Sequence, residues 1–311
     1  MDSRRRASAA CSMDKARSWR PPALSSCGLA FLSVVALSGC CMQRGTPPRN
    51  AREALERIQS NLEKIDRALA AKATASFRFR DERGAARRFW GHPAALRFEP
   101  PRCLLFDIRA TLGGTLARIG SNDERYWVWV DAGDLRRLVY GSWAALERGA
   151  ARPMTPPADE LLDALMLRPL PDTPALRAAT LRVAGRRPSL VWQEGPGSAA
   201  AMRELRLDPC PPYMPLEVID RDASGAVAMH ATLGAYRPVE TERDDPPLVA
   251  RKYVILWPTQ SAELRIDLTQ VRFSESDVPF CDFPARWRHE VECLDLPAGE
   301  GWSRAAAERA P

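Results

Sequence analysis

Most of the chain consists of short runs in which apolar and polar residues alternate, and this pattern constrains its fold more than any other feature. After Ala73 such runs follow one another and are separated by turn residues such as Asp222 to Gly225. Alternation with a period of two predicts β-strands with one buried face, and short connections favour antiparallel pairing. The sequence therefore predicts a domain dominated by antiparallel β-structure.

The run RYWVWVD differs from the others because both of its faces are apolar. In a strand, Tyr126, Val128 and Val130 would face one side of the sheet, and Trp127 and Trp129 would face the other. A strand of this kind is normally covered on both sides. We therefore expect other elements, the helices among them, to lie over the sheet.

Residues 51–72 have helical rather than strand periodicity, since their apolar side chains recur at intervals of three and four. This spacing places them on one stripe of an α-helix, and such a stripe must be buried. The pattern ends before three full heptads, so packing on the domain is favoured over a coiled coil. The stripe consists of Leu55, Ile58, Leu62, Ile65 and Leu69.

A second helix is predicted to follow Thr155, which is a typical N-cap residue with two prolines in the first turn after it. Pro169 marks its end. The apolar residues of this segment again lie on one side: Leu161, Leu162, Leu165 and Met166.

Residues 1–39 have the order of parts of an export signal: basic residues, an apolar run too short to cross a bilayer, then small residues. The run ends in Leu37-Ser38-Gly39-Cys40, which resembles a bacterial lipobox. The resemblance implies that Cys40 is lipidated and becomes the N-terminus of a membrane-anchored chain, with residues 40–50 as a polar tether. Met1 and Met13 both give a complete signal.

The location that follows is the bacterial cell envelope. By resemblance to the enteric sorting rule, Cys41 rather than Asp after the lipidated position favours the outer membrane, facing the periplasm. The signal also holds six Lys and Arg against two Asp, so most of the formal charge of +6 leaves with it. Nucleic-acid binding needs a basic face on the folded domain, and we expect no such partner.

Four cysteines lie in the predicted domain, and an exported compartment permits disulfides. Cys103, Cys210, Cys281 and Cys293 allow three pairings, among which the sequence does not choose. The most local pair, Cys281 with Cys293, is the one we expect.

Motifs of enzymes and cofactor sites are absent from the sequence. There is no G-x-S-x-G, no phosphate loop, no G-x-G-x-x-G and no H-E-x-x-H. A metal site formed by His289, Cys281 and Cys293 would lack a fourth ligand. His92 and His230 lie in predicted strands, where a surface or core role is more common than a catalytic one. We therefore expect no catalytic residues, no metal and no cofactor.

The order of elements resembles the LolA/LolB-like carriers that sort outer-membrane lipoproteins. The resemblance covers most of residues 51–275 and rests on the first helix entering ATASFRF, on ALRFEPP, on IGSNDERYWVWV, on the stretch from MRELRLDPC to ATLGAY, and on LVARKYVILWPTQSAELRIDLTQVRFS. Residues 276–311 have no counterpart and are expected to form a partly unstructured extension.

This resemblance implies an α+β fold in which a strongly curved antiparallel sheet, an incomplete barrel, carries helices on its concave face. It also implies a hydrophobic cavity for acyl chains or lipoproteins, with the helix stripe from Leu55 to Leu69 as a lid. The lining candidates are large residues of the alternating runs, for which plain core packing is the competing reading: Phe77, Phe79, Phe89, Phe98, Phe106, Tyr126, Val128, Trp192, Met229 and Trp257.

Overall fold

The structure is a computed structural model that describes residues 46–80, 84–111, 113–132, 135–148, 158–184, 187–194, 201–275, 280–283 and 290–295. The predicted signal, Cys40, Thr155 and His289 lie outside the described residues. All described residues belong to one compact unit, Gln43–Pro311.

The described residues are mostly strands, with a few short helices. The helices are α1 Ala51–Glu63, α2 Trp143–Glu147, α3 Ala158–Leu165 and α4 Pro174–Arg177, with a 3₁₀ turn at Pro258–Gln260. The strands are β1 Leu69–Arg80, β2 Ala86–Glu99, β3 Cys103–Arg109, β4 Thr115–Ser121, β5 Arg125–Ala132, β6 Leu135–Ser142, β7 Thr180–Ala184, β8 Arg187–Glu194, β9 Ala201–Leu207, β10 Pro215–Arg221, β11 Val227–Gly234, β12 Arg237–Pro238, β13 Leu248–Val249, β14 Lys252–Trp257, β15 Ala262–Phe273 and β16 Glu290–Cys293.

Fourteen strands form one sheet in the order β16-β6-β5-β4-β3-β2-β1-β15-β14-β11-β10-β9-β8-β7, and β12 pairs with β13 in a separate ribbon. Within the large sheet all described pairs are antiparallel except β16 with β6, which is parallel. The sheet is open, because β16 and β7 are the two ends of that order. The predicted antiparallel β-structure is therefore confirmed for the described part of the chain.

Helix α1 begins where the sequence predicts it and ends earlier. Asn50 is its N-cap, with the side-chain oxygen accepting from the Glu53 amide at 2.8 Å. The helix stops at Glu63, so Ile65 lies in the connection and Leu69 is the first residue of β1. The prediction that Leu69 belongs to the helix is wrong. There the backbone pairs with both neighbouring strands, opposite Phe273 and Phe98, and this pairing overrides the helical spacing.

Helix α3 is the second predicted helix, and its described part spans Ala158–Leu165. It ends at Met166, which has a positive φ of 49°. The four residues of its predicted apolar stripe are all buried: Leu161, Leu162, Leu165 and Met166. The prediction of a one-sided apolar helix is confirmed at these positions.

The strand predicted to be covered on both faces is β5, and the cover on its second face comes from the C-terminal segment. Trp127 is fully buried, and its ring centroid lies 5.5 Å from that of Phe283. The Phe283 ring also lies 5.0 Å from the ring of Tyr140 on the neighbouring β6. The described residues 280–283 therefore cover a part of the sheet for which the sequence suggested helices.

The disulfide differs from the predicted pair. Cys103 at the start of β3 is bonded to Cys281, with the Cα atoms 5.6 Å apart. Cys293 keeps a reduced thiol that hydrogen-bonds the Tyr140 side chain. The prediction of a Cys281–Cys293 bond is wrong because Cys293 is held in β16, in register with Tyr140 of β6. Locality in sequence could not reveal that pairing.

Removal of this bond should destabilise the protein. Cys103→Ser should lower the free energy of unfolding by about 2 to 5 kcal/mol, since the bond closes a long loop, with a sequence separation of 178 residues. Thermal unfolding with and without a reductant measures the effect, and the reductant should change only proteins that retain the bond. Cys293→Ser is the matched control. A loss of reductant sensitivity in that control would instead support the local pair.

Candidate functional site

Strand register places the ten lining candidates on one face of the large sheet. Residues directly opposite each other in antiparallel strands point to the same side. Phe98 lies opposite Leu69, and Phe106 lies opposite Leu96. On the other half of the sheet, Met229 lies opposite Asp220. We call this surface the apolar face, and its members include Phe77, Phe79, Phe89, Phe98, Phe106, Tyr126, Val128, Trp192, Met229 and Trp257.

Most of these residues lie in a packed core. Eight of the ten are buried, whereas Phe79 and Phe89 are half-buried. A side chain that lined a hollow large enough for water would keep accessible surface, yet Phe98, Met229 and Trp257 keep 0 %. In this conformation the ten residues belong to the common core or pack against it, and their role as the lining of a ligand cavity stays a prediction. Helices α1 and α3 contribute buried residues to the same core.

Helix α1 is one of the elements that contribute to this core. Ile58 and Leu62 are fully buried in the same cluster as the strand residues, while Leu55 is only partly buried at its edge. Asn61 fixes the helix by two hydrogen bonds to Leu248, donating to its carbonyl at 2.9 Å and accepting from its amide at 2.7 Å. The helix predicted to be a lid is therefore part of the common core, held by packing and by polar contacts such as those of Asn61.

The apolar face remains accessible at the end of the β1–β2 hairpin. There the Phe77 and Phe79 rings stack with centroids 5.0 Å apart, and the Phe89 ring follows at 6.5 Å from Phe79. These rings line a shallow cleft that is open to solvent, which we call the aromatic cleft. Its lining is entirely apolar: Phe77, Phe79, Phe89, Ile108, Leu116, Ala117 and Val130.

A second shallow cleft lies between α3, the segment around Pro169 and strands β8 to β10. It differs from the aromatic cleft because charged groups enter its lining. Arg203 donates to Asp163 at 2.7 Å and to Asp220 at 2.6 Å, and Arg168 also binds Asp163. The charges compensate each other, so this cleft presents satisfied ion pairs beside apolar side chains such as Trp192.

Helix α3 also carries two half-buried acidic groups, Asp159 and Glu160, that the sequence pattern did not single out. Burial raises the pKa of Glu160 to about 7, and the charges of Asp159 and Asp220 add to the effect. Burial likewise raises the pKa of Asp159. Trp257 and Arg203 act in the opposite direction on Glu160. The available signal was the spacing of Asp159 and Asp163, which lie one turn apart next to the apolar stripe.

The described residues include no group of three or more His, Cys, Asp or Glu side chains placed to hold a metal ion. His230 lies 3.0 Å from Glu217, and His92 packs near the Phe89 ring. Among the helices that the structure describes, none combines the length and the apolar character needed to cross a membrane.

Comparisons with solved structures return distant neighbours. A candidate outer membrane lipoprotein-sorting protein domain from Vibrio parahaemolyticus is 14 % identical, with a TM-score of 0.43 over 73 % of this chain and 94 % of the other. A DUF1329 family protein from Desulfovibrio piger is 12 % identical, with a TM-score of 0.43 over 74 % and 95 %. A LolA superfamily protein from Nitrosomonas europaea is 7 % identical, with a TM-score of 0.42 over 74 % and 96 %.

Two of these neighbours bear the names to which the sequence resemblance pointed. No family model and no curated protein matches the chain. At these TM-scores the likenesses decide nothing about what this chain binds, so the physical case depends on its own residues.

The buried acid on α3 makes stability depend on pH. Glu160 holds its proton up to about pH 7 in the folded protein, whereas an unfolded glutamate loses it near its ordinary pKa of 4.5. The free energy of unfolding should therefore fall as the pH rises from about 4.5 to 7, by up to about 3 kcal/mol. Thermal unfolding across this range measures the fall.

Glu160→Gln should flatten that dependence, because the amide stays neutral, and the variant should be more stable than the parent above pH 7. Glu124→Gln alters an exposed carboxylate and serves as control. Parallel stability curves for the parent and Glu160→Gln would contradict the assignment.

Proposed function

We propose that this protein binds acyl chains of lipoproteins or other amphiphiles on the apolar face and performs no covalent chemistry. In this role it acts as a carrier or acceptor, tethered through lipidated Cys40 in the bacterial envelope. We place the anchor in the outer membrane, with the domain facing the periplasm. The proposal needs neither cofactor nor metal.

The aromatic cleft is the observation that carries this proposal. It is open to solvent and lined by seven apolar residues, and it continues into the buried part of the same face through Phe77 and Ile108. Burial of a methylene group contributes about 0.8 kcal/mol, so each methylene of a chain end that lies against the cleft adds a small gain. A reversible contact of this size suits a protein that must also release its ligand.

Binding of a whole acyl chain requires a helix to leave the apolar face. Helix α1 is suited to this step because few of the described polar contacts tie it to the rest of the domain. These contacts are made by Gln59, Asn61 and Lys64. Its apolar stripe would be replaced by the ligand, so the exposed apolar area changes little. We also propose the curvature that the family resemblance implies, since a curved sheet would enclose the chain after the helix moves.

A second candidate function is favoured by the packed core. If α1 and α3 stay on the sheet, the protein is an envelope interaction or sensor module that binds a partner protein. The near-zero exposure of Phe98, Met229 and Trp257 agrees with that role. The test is to purify the protein from its own host and identify what remains bound. One partner protein and no lipid would favour this second function.

Binding should depend on the aromatic cleft. Phe79→Ser removes a half-buried ring from the cleft, and should weaken binding of a fluorescent fatty acid about tenfold or more, because burial of a ring contributes roughly 1.5 to 3 kcal/mol. Trp90→Ser is the matched control, since Trp90 is 56 % exposed and alternates to the opposite face. Fluorescence titration gives both affinities. Equal losses in the two variants, or no uptake by the parent, would refute the proposed site.

The anchor is tested separately. Cys40→Ala should leave an uncut, unlipidated precursor, because the thiol that carries the lipid is gone. Membrane fractionation and mass spectrometry of the N-terminus measure this. Unchanged fractionation of the variant with the membrane would disprove the lipid anchor without affecting the acyl-chain proposal.

A further inference from the structure

Arg251 is a buried cation close to the apolar face. It lies between β13 and β14 and keeps only 8 % of its surface exposed. Its main chain is fixed on both sides, since its amide donates to the Gly234 carbonyl at 3.0 Å and its carbonyl accepts from the Leu268 amide at 2.7 Å. The backbone therefore holds this guanidinium at a defined place in the fold.

The guanidinium is only partly satisfied. Its Nη2 donates to the Pro238 carbonyl at 2.8 Å, but its buried Nε and Nη1 have no acceptor among the described residues. No carboxylate of the described chain lies within ion-pair distance of Arg251. Burial lowers the pKa of Arg251 from its ordinary value, and the charges of Tyr253 and, to a smaller extent, Glu240 oppose this shift. A buried cation with free donors is costly unless an anion completes it.

Tyr253 supplies a third unsatisfied donor. It lies two residues after Arg251, and the two side chains interact electrostatically. Its side chain is 1 % exposed, and its hydroxyl has no partner among the described residues. The neighbouring Tyr236 differs, because its hydroxyl donates to the Pro215 carbonyl at 2.6 Å. Burial raises the pKa of Tyr253 while Arg251 lowers it, so the two groups act on each other.

We propose that Arg251 and Tyr253 form a binding site for an anionic oxygen head group, a carboxylate or a phosphate, of an amphiphile. The inference rests on the proposed function, because it names the polar end of the ligand whose chain lies on the apolar face. An oxyanion presents several acceptor oxygens to the free Nε, Nη1 and hydroxyl groups. Hydrogen bonds to a charged partner are stronger than those to a neutral alcohol.

The position of this site fits an amphiphile that lies along the apolar face. Tyr253 is opposite Ile266, which is opposite Ala75 of β1. Phe79 of the aromatic cleft lies four residues beyond Ala75, and two strand spacings separate β1 from β14, so Tyr253 and Phe79 are about 16 Å apart. This distance is within the length of a long acyl chain. The head group would lie at Arg251 and the chain would extend toward Phe79.

The test compares three ligands that share one chain and differ at the head: palmitate, hexadecyl phosphate and the neutral hexadecanol. The purified mature protein should bind at least one of the two anions at least tenfold more tightly than hexadecanol. The preferred anion distinguishes a carboxylate from a phosphate. Arg251→Met and Tyr253→Phe should each abolish the preference while leaving hexadecanol affinity unchanged, as measured by calorimetric titration.

Tyr236→Phe is the matched control, because its hydroxyl is already used by Pro215, and this variant should keep the preference for the anion. Tyr253→Phe should unfold at no lower temperature than the parent, since its hydroxyl has no partner to lose, so it remains usable if Arg251→Met does not fold. Equal affinity of the parent for all three ligands would overturn the head-group site and leave the proposed function standing. Binding of none of them would overturn both.

Discussion

The pairing of β1 with β15 is the contact on which the rest of the sheet depends. It joins residues near the start of the domain to residues near its end, with Leu69 opposite Phe273 and Phe77 opposite Leu264. On one side of this pair the sheet continues through β2 to β6, and on the other side through β14 to β7. Without it, two separate sheets would each expose half of the apolar face. The long loop that it closes has an entropic cost, which the shared core must offset.

The two sides of the sheet are completed by different means. Helices α1 and α3 cover the apolar face and contribute Ile58, Leu62 and Leu161 to the common core. Near β5 and β6 the opposite side is covered by Phe283, and the Cys103–Cys281 bond ties this segment to β3. The covalent bond fixes one cover, whereas the other is held by packing and a few hydrogen bonds. Of the two, the helical cover is the one whose release would break no covalent bond.

Polar groups on and beside the apolar face fall into two classes. Arg203 is fully engaged by Asp163 and Asp220, so its charge is compensated within the fold. Arg251 and Tyr253 keep donors that the described chain does not satisfy. A surface made only for packing would place apolar side chains at these positions. Buried donors without acceptors are expected mainly where a protein binds a ligand, and this supports the proposed role of the two residues in ligand binding.

The sequence by itself determined the class of structure. Period-two alternation predicts the antiparallel strands, and the helical spacing of Ile58 and Leu62 predicts α1. The spacing of two residues between Phe77 and Phe79 predicts that they share a face. All three patterns arise from the backbone geometry of single segments. Tertiary structure decided what depends on contacts distant along the chain. Pairing with Phe98 and Phe273 turned Leu69 from helix to strand, and β16 held Cys293 away from Cys281. Only packing in three dimensions determined that the apolar face is filled and that the donors of Arg251 are left without acceptors.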